Sequence, residues 1–136
     1  MTIIKRLFNI FVPLLIFFLA SCVGNTEREW SVENASSTTI KVMAVLVFGT
    51  DSIYEIIETE ETRIITITSE PKANSEPQRA YDVFSEFLVT NANGDTLRKN
   101  LLDNDSWDIY IEQTKRQPDH FYMTYTLIVR DEYFEK

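Results

Sequence analysis

Residues 107–130 read WDIYIEQTKRQPDHFYMTYTLIVR, and the parity of their apolar positions decides the fold. Trp107, Ile109 and Ile111 alternate with Asp108, Tyr110 and Glu112. After a turn around Pro118, Met123, Tyr125, Leu127 and Val129 alternate with Thr124, Thr126, Ile128 and Arg130. Successive side chains of a strand point to opposite faces, so a period of two marks strands buried on one side only. The pattern predicts two such strands, with Trp107 and Tyr125 turned inward and Tyr110 and Tyr122 on the opposite parity.

The same reading extends upstream. Asn91–Asp95 (NANGD) has Asn93 and Gly94 where a tight hairpin turn needs positive φ. Residues 52–69 are rich in Ile and Thr, whose branched side chains resist helix, so two strands are expected, Ile53–Ile57 and Arg63–Thr68, turning through Thr59–Glu61. Glu58, Glu60 and Glu61 then read as a charged hairpin tip that discourages edge pairing. Ile40–Phe48 begins with alternation and ends as a continuous apolar run. Trp30–Val32, followed by the turn-forming Asn34–Ser37, completes an expected N-terminal hairpin with it. Between these strands lies a polar loop, Glu70–Gln78, with Pro71 and Pro77, followed by a short helical turn within Ala80–Glu86. About six to eight short strands with little helix predict an all-β domain, an antiparallel β-sandwich of immunoglobulin-like or related open-barrel form.

The N-terminus has a different character. Lys5 and Arg6 precede an apolar run of 14 residues, Leu7–Ala20, interrupted by Asn9 and Pro13. A spanning helix needs about 20 apolar residues, so this run reads as an export signal. The tetrapeptide Leu19-Ala20-Ser21-Cys22 at its end resembles the bacterial lipobox. That resemblance implies cleavage between Ser21 and Cys22 and lipidation of the Cys22 thiol. Cys22 is the chain's single cysteine; unmodified, it would be an unpaired thiol in an oxidising compartment. One acyl chain anchors reversibly, whereas two or three hold a protein on the bilayer. The expected organisation is a signal peptide over 1–21, a lipidated tether over 22–29 and one sandwich domain over 30–136.

Every acidic residue lies after the signal, so removing Lys5 and Arg6 takes the formal charge from -8 to -10. Such a surface repels nucleic acid. The chemical inventory excludes more than it offers. With Cys22 lipidated there is no thiol for Cys–His catalysis or for a Cys/His zinc site. A serine triad would need His120, the single histidine, beside Asp119 in an expected turn. The three glycines, Gly24, Gly49 and Gly94, are too far apart for a phosphate loop. Asp103, Asp105 and Asp108 superficially resemble calcium-loop ligands, but with Asp103 as the first position Asp108 stands at the sixth, where the turn glycine belongs, and Thr114, followed by Lys115, at the twelfth, where the closing glutamate belongs. No metal or cofactor is expected.

Trp30, Trp107, Tyr81, Tyr110, Tyr122 and Tyr125 raise the question of a stacking surface. Core packing accounts for Trp107 and Tyr125. Tyr110 and Tyr122, if exposed together on adjacent strands, form the candidate binding surface.

The lipobox, the aromatic first strand with its Asn-Ser turn (WSVENASSTTIKV), the W-x-I-x-I strand and the closing YTLIVRDEYF resemble the small β-sandwich lipoproteins of Bacteroides-type bacteria. The resemblance implies an address and a fold and no activity. Position 23 is Val and not the Asp that retains enteric lipoproteins at the inner membrane, so the outer membrane is expected. Val23-Gly24-Asn25-Thr26 also lacks the acidic residues that tend to follow the cysteine in surface-displayed members. The expected function is a non-catalytic, bilayer-anchored binding or assembly module with an envelope protein or glycan partner. The alternatives are an acid-based hydrolase of glycosidase type and a periplasmic immunity or inhibitor lipoprotein.

Overall fold

The computed structural model describes residues 23–134. Seven strands form two sheets: β1 (Asn25–Asn34), β2 (Ile40–Leu46), β3 (Ser52–Ile57), β4 (Thr62–Glu70), β5 (Phe84–Asn91), β6 (Asp108–Arg116) and β7 (Asp119–Val129), with one helical turn, α1 (Ala80–Val83), before β5. One sheet has the order β4-β1-β7-β6 and the other β3-β2-β5. The expected all-β sandwich is present. All pairings are antiparallel except β1 with β7, which run parallel.

The two sheets close on an aromatic centre. Trp30 stacks on Tyr125 with centroids 3.8 Å apart and meets Phe84 and Trp107 edge-on at 5.4 and 5.1 Å. Since Trp30 and Phe84 belong to different sheets, this cluster ties the layers together. Offset and edge-to-face pairs of this kind contribute about 0.5–1.5 kcal/mol each beyond their area burial. Ile40, Val42, Ala44, Ile57, Val89, Met123, Leu127 and Val129 extend the core on either side. The inward parity expected for Trp107, Met123, Tyr125, Leu127 and Val129 holds, and all are buried, whereas on the edge strand β6 Ile109 is half-buried and Ile111 is 38% exposed. Trp107 donates its indole N–H to the Leu101 carbonyl (2.9 Å), whereas the buried Trp30 Nε1 has no partner among the described residues.

Three connections differ from the local reading, each for a reason of hydrogen bonding. First, β1 and β2 are not a hairpin. At Asn34 the chain leaves one sheet for the other, and the Asn34 amide donates to the Thr38 and Ile57 carbonyls (2.8 and 2.9 Å) and accepts from the Ser36 N–H and Oγ (3.0 and 2.6 Å). Second, β3 and β4 are strands as expected but lie in different sheets. Glu58–Glu61 form an arch and not a hairpin tip: Glu60 takes a φ of 65° and donates its N–H to the Asn34 carbonyl (2.8 Å), while Glu61 O accepts from Asn34 N (2.9 Å). Both crossings therefore share Asn34.

Third, β1 starts at Asn25, inside the stretch expected to be tether, which leaves only Val23 and Gly24 of the described residues before it. Its inward residues there are polar, Thr26 and Arg28, so no apolar alternation announces the strand. They are satisfied by the loop after β4. Thr26 Oγ1 donates to Lys72 O (2.9 Å) and accepts from Asn74 N (2.8 Å), and Arg28 pairs with Glu70 (3.0 Å). Gly24 is wedged in the same place: a Cβ would lie 1.9 Å from the Asp119 carbonyl oxygen and 2.9 Å from Ala73 Cβ.

The remaining connections agree closely with the local reading. Gly94 takes a φ of 85° in the Asn91–Asp95 turn, and Asn91 Oδ1 accepts from Asn93 N and Asp95 N (3.0 and 2.9 Å). The returning arm is a single bridge, Thr96 to Thr90, not a full strand. The loop expected over Glu70–Gln78 is present after Glu70 ends β4. The helical turn begins at Ala80, whose N–H donates to Asn104 Oδ1 (2.8 Å).

Candidate functional site

The four-stranded sheet has an outer face that the register defines row by row. Across β4, β1, β7 and β6 the outward residues are Ile64, Ser31, Thr126 and Asp108, then Ile67, Glu29, Thr124 and Tyr110, then Ser69, Glu27, Tyr122 and Glu112. Toward the Asn34 end the row is Thr62, Glu33 and Ile128. Tyr110 lies opposite Thr124, and Tyr122 opposite Glu112, so the two tyrosines are diagonal neighbours on one face. The structure thus brings together the two residues expected to form a surface patch. Tyr110 is 65% exposed; Tyr122 is half-buried.

Five carboxylates, Glu27, Glu29, Glu33, Asp108 and Glu112, share these four rows, and no lysine or arginine does. Tyr122 Oη donates to Glu29 Oε2, which orients the phenol along the sheet. That bond to a carboxylate, with desolvation and the charges of Glu29 and Glu27 adding to it, pushes the Tyr122 pKa up to about 12. Glu29 is the member sequence reasoning missed, because it lies in the stretch expected to be tether. The signal that could have found it is the outward parity of Glu27, Glu29 and Glu33 against Trp30 and Val32.

Linkage gives this contact a definite pH dependence. A tyrosine whose pKa is raised on folding contributes stability that is complete below about pH 10 and is lost as pH rises toward about 12. Phenolate absorbance followed against pH should show Tyr122 ionising late, and Glu29→Gln should return it toward the ordinary tyrosine range. A titration unchanged by Glu29→Gln would contradict the contact.

The other residues singled out from sequence are dispersed. His120 is the second residue of β7, and its backbone carbonyl accepts from Thr114 Oγ1 (3.3 Å). Asp103 uses its carboxylate to accept from Asp105 N (3.0 Å) at the start of a 3-10 turn. Among the described residues no three Asp, Glu, His or Cys side chains converge as a metal site requires. Trp30, Trp107 and Tyr125 belong to the core, and Tyr81 lies on the surface under the Arg79 guanidinium, 4.5 Å from its centroid. Ser21 and Cys22 lie outside the described residues.

A cleft of about 390 Å³ opens between β4 and the loop after it, lined by Arg28, Thr68, Glu70, Asn74, Glu76 and Gln78. Arg28 is only 4% exposed, and its Nε has no partner among the described residues. Burial pushes the Glu70 carboxyl up, but hydrogen bonds from Arg28, Lys72 and Asn74 and the Arg28 charge outweigh it and hold the group below the usual carboxylate range. A general acid needs the opposite shift. No family model matches the chain, and no curated protein matches it.

Proposed function

We propose that the protein is a lipoprotein of the bacterial outer membrane, anchored through Cys22, that works without catalysis as a docking module for a cationic envelope protein. The observation that carries the docking role is the outer face of the four-stranded sheet, where Tyr110 and Tyr122 stand among five carboxylates in four rows that hold no lysine or arginine; Lys115 follows in the next row, opposite His120. Tyrosine supplies a large contact area at low conformational cost, and the carboxylates steer a basic partner and reject acidic ones. The anchor is supported by the sequence Leu19-Ala20-Ser21-Cys22 after a short apolar run. Among the described residues no helix is long and apolar enough to cross a membrane. An immunity or inhibitor role differs from this reading only in the identity of the basic partner. Glu70 in the cleft, held below the usual carboxylate range by Arg28, Lys72 and Asn74, does not suit the general-acid half of a glycosidase pair.

The test is a photo-crosslinker placed in cells at Tyr110, and at Tyr54 on the other sheet as the control. The expected product is a basic envelope protein captured from Tyr110 alone and lost with Glu29→Lys and Glu112→Lys. Capture of the same protein from both positions, or capture insensitive to the charge reversals, overturns the docking face. For the anchor, a Cys22→Ala precursor should lose fatty-acid labelling and remain unprocessed; normal processing overturns the lipoprotein reading.

A further inference from the structure

The second sheet presents an outer face of different charge. Its outward rows are Ile56, Lys41 and Thr90, then Tyr54, Met43 and Leu88, then Ser52, Val45 and Glu86 across β3, β2 and β5. Tyr54 is 71% exposed, Ile56 and Leu88 are exposed, and Val47 and Phe48 continue the apolar surface just beyond β2. Lys41 and Glu86 are the only charges in these three rows, so the face is neutral. An apolar surface this continuous on a small domain marks an interaction site.

The pattern of residues on this face is complementary to itself. Met43 is the centre, the middle residue of the middle row on the central strand. Neighbouring strands lie about 4.8 Å apart, and residues of one face follow each other at about 6.8 Å along a strand. On that lattice a two-fold axis through Met43, lying in the plane of the face, can be turned so that Lys41 of one copy meets Glu86 of the other. The same axis sets Met43 against its own copy, brings Ile56 over Val45, and leaves Tyr54 and Leu88 each beside its own copy. The strands of the two copies then cross at roughly 35°, close to the roughly 30° of aligned sheet packing. Apolar residues thus meet apolar ones, and each of the two charges meets its opposite. Charge also selects this face over the rest of the surface. The chain has a formal charge of -8, and two acidic faces repel each other, whereas two neutral faces do not. Three strands by three rows, extended by Val47 and Phe48, give a patch of about 600 Å² a copy, the low end of specific interfaces and suited to a reversible dimer.

We infer that the outer face of the β3-β2-β5 sheet is the interface of a two-fold dimer of this chain, with Met43 on the axis and Lys41 paired with Glu86 twice across it. Both tyrosine and carboxylate faces then point away from the contact, so the dimer presents that surface in two copies. The dimer does not depend on lipid at Cys22.

The experiment uses the chain as cells process it from the full precursor, extracted in a neutrally buoyant detergent with micelles in excess, and reads its mass by sedimentation equilibrium. The expected result is a monomer that passes to a dimer, with the dimer predominant by about 100 µM. Lys41→Glu alone and Glu86→Lys alone should each raise the dissociation constant by roughly tenfold or more, because the symmetry turns two attractive contacts repulsive at once. An equimolar mixture of the two single variants should associate as tightly as the wild type, since both contacts of the mixed pair again join opposite charges. Lys41 and Glu86 are exposed, so the unfolding midpoint of each variant should stay in the wild-type range. Glu112→Lys, on the acidic face, should leave the dissociation constant unchanged. A chain that stays monomeric at every concentration overturns the inference and leaves the face to another occupant, such as lipid. Masses that grow past the dimer overturn it in favour of an open head-to-tail chain. Weakened association that mixing does not restore overturns the two-fold pairing of Lys41 with Glu86.

Discussion

Trp30→Ala should lower the unfolding free energy by about 3–5 kcal/mol, a large fraction of the roughly 5–15 kcal/mol that holds a domain together. The indole is fully buried and touches Tyr125, Phe84 and Trp107, so truncation opens a cavity that both sheets line. A rigid ring cluster cannot collapse into such a space. The unpartnered Trp30 N–H sharpens the test. Trp30→Phe keeps most of the apolar contact and removes a buried donor that makes no hydrogen bond, so its loss should be much smaller than that of the alanine variant. Urea unfolding checks both: the midpoint should fall steeply for Trp30→Ala with little change in slope. Similar losses for the two variants would show that the cluster does not carry the sheet-to-sheet contact.

Asn34→Ala should destabilise by about 2–5 kcal/mol, more than any exposed asparagine would. Its amide serves both crossings between the sheets, donating to Ile57 O and Thr38 O and accepting from Ser36. Alanine removes the Asn34 partner of the Ile57 carbonyl and of the Ser36 N–H, where each lost partner costs about 1–3 kcal/mol, while Ser36 Oγ and the Thr38 carbonyl keep the bond between them. Asn34→Asp separates hydrogen bonding from volume. The aspartate keeps the shape and the acceptors but loses both donors and turns a charged oxygen toward two carbonyls. Its pKa is then raised on folding, so the folded state binds the proton more tightly than the unfolded chain. The variant should be least damaged below about pH 4 and lose stability as pH rises through neutrality. Denaturant midpoints measured at low and neutral pH decide this; a pH-independent loss would mean that the side chain is not enclosed as described.

These two residues also show what local sequence can and cannot carry. The strands themselves were legible wherever one face is apolar and the other polar, as in Met123 to Val129, because a period of two is a property of neighbouring residues. The tyrosine pair was legible for the same reason. Sheet membership was not. Trp30–Val32 and Ile40–Phe48 are joined by a short polar stretch that suits a hairpin, and only the buried bonds of Asn34 to Thr38 and Ile57 carry the chain across to the other layer. The Glu58–Glu61 arch is hidden in the same way, since it depends on Glu60 reaching back to Asn34 O. The start of β1 was missed because Thr26 and Arg28 are satisfied by Lys72, Asn74 and Glu70, more than forty positions away. Glu29 was lost with that strand, and with it the hydrogen bond that orients Tyr122.

The parallel union of β1 with β7 sets an order in time. Glu29 and Tyr122 stand 93 residues apart, so a chain that emerges N-terminus first offers β1 long before its partner exists. Until residues 119–129 arrive, β1 can be paired along one edge only, by β4. Closing so long a loop is slow compared with forming a local hairpin such as that of β6 and β7. The four-stranded sheet therefore cannot be completed until the last strand of the chain is delivered, although the three-stranded sheet needs nothing beyond residue 91.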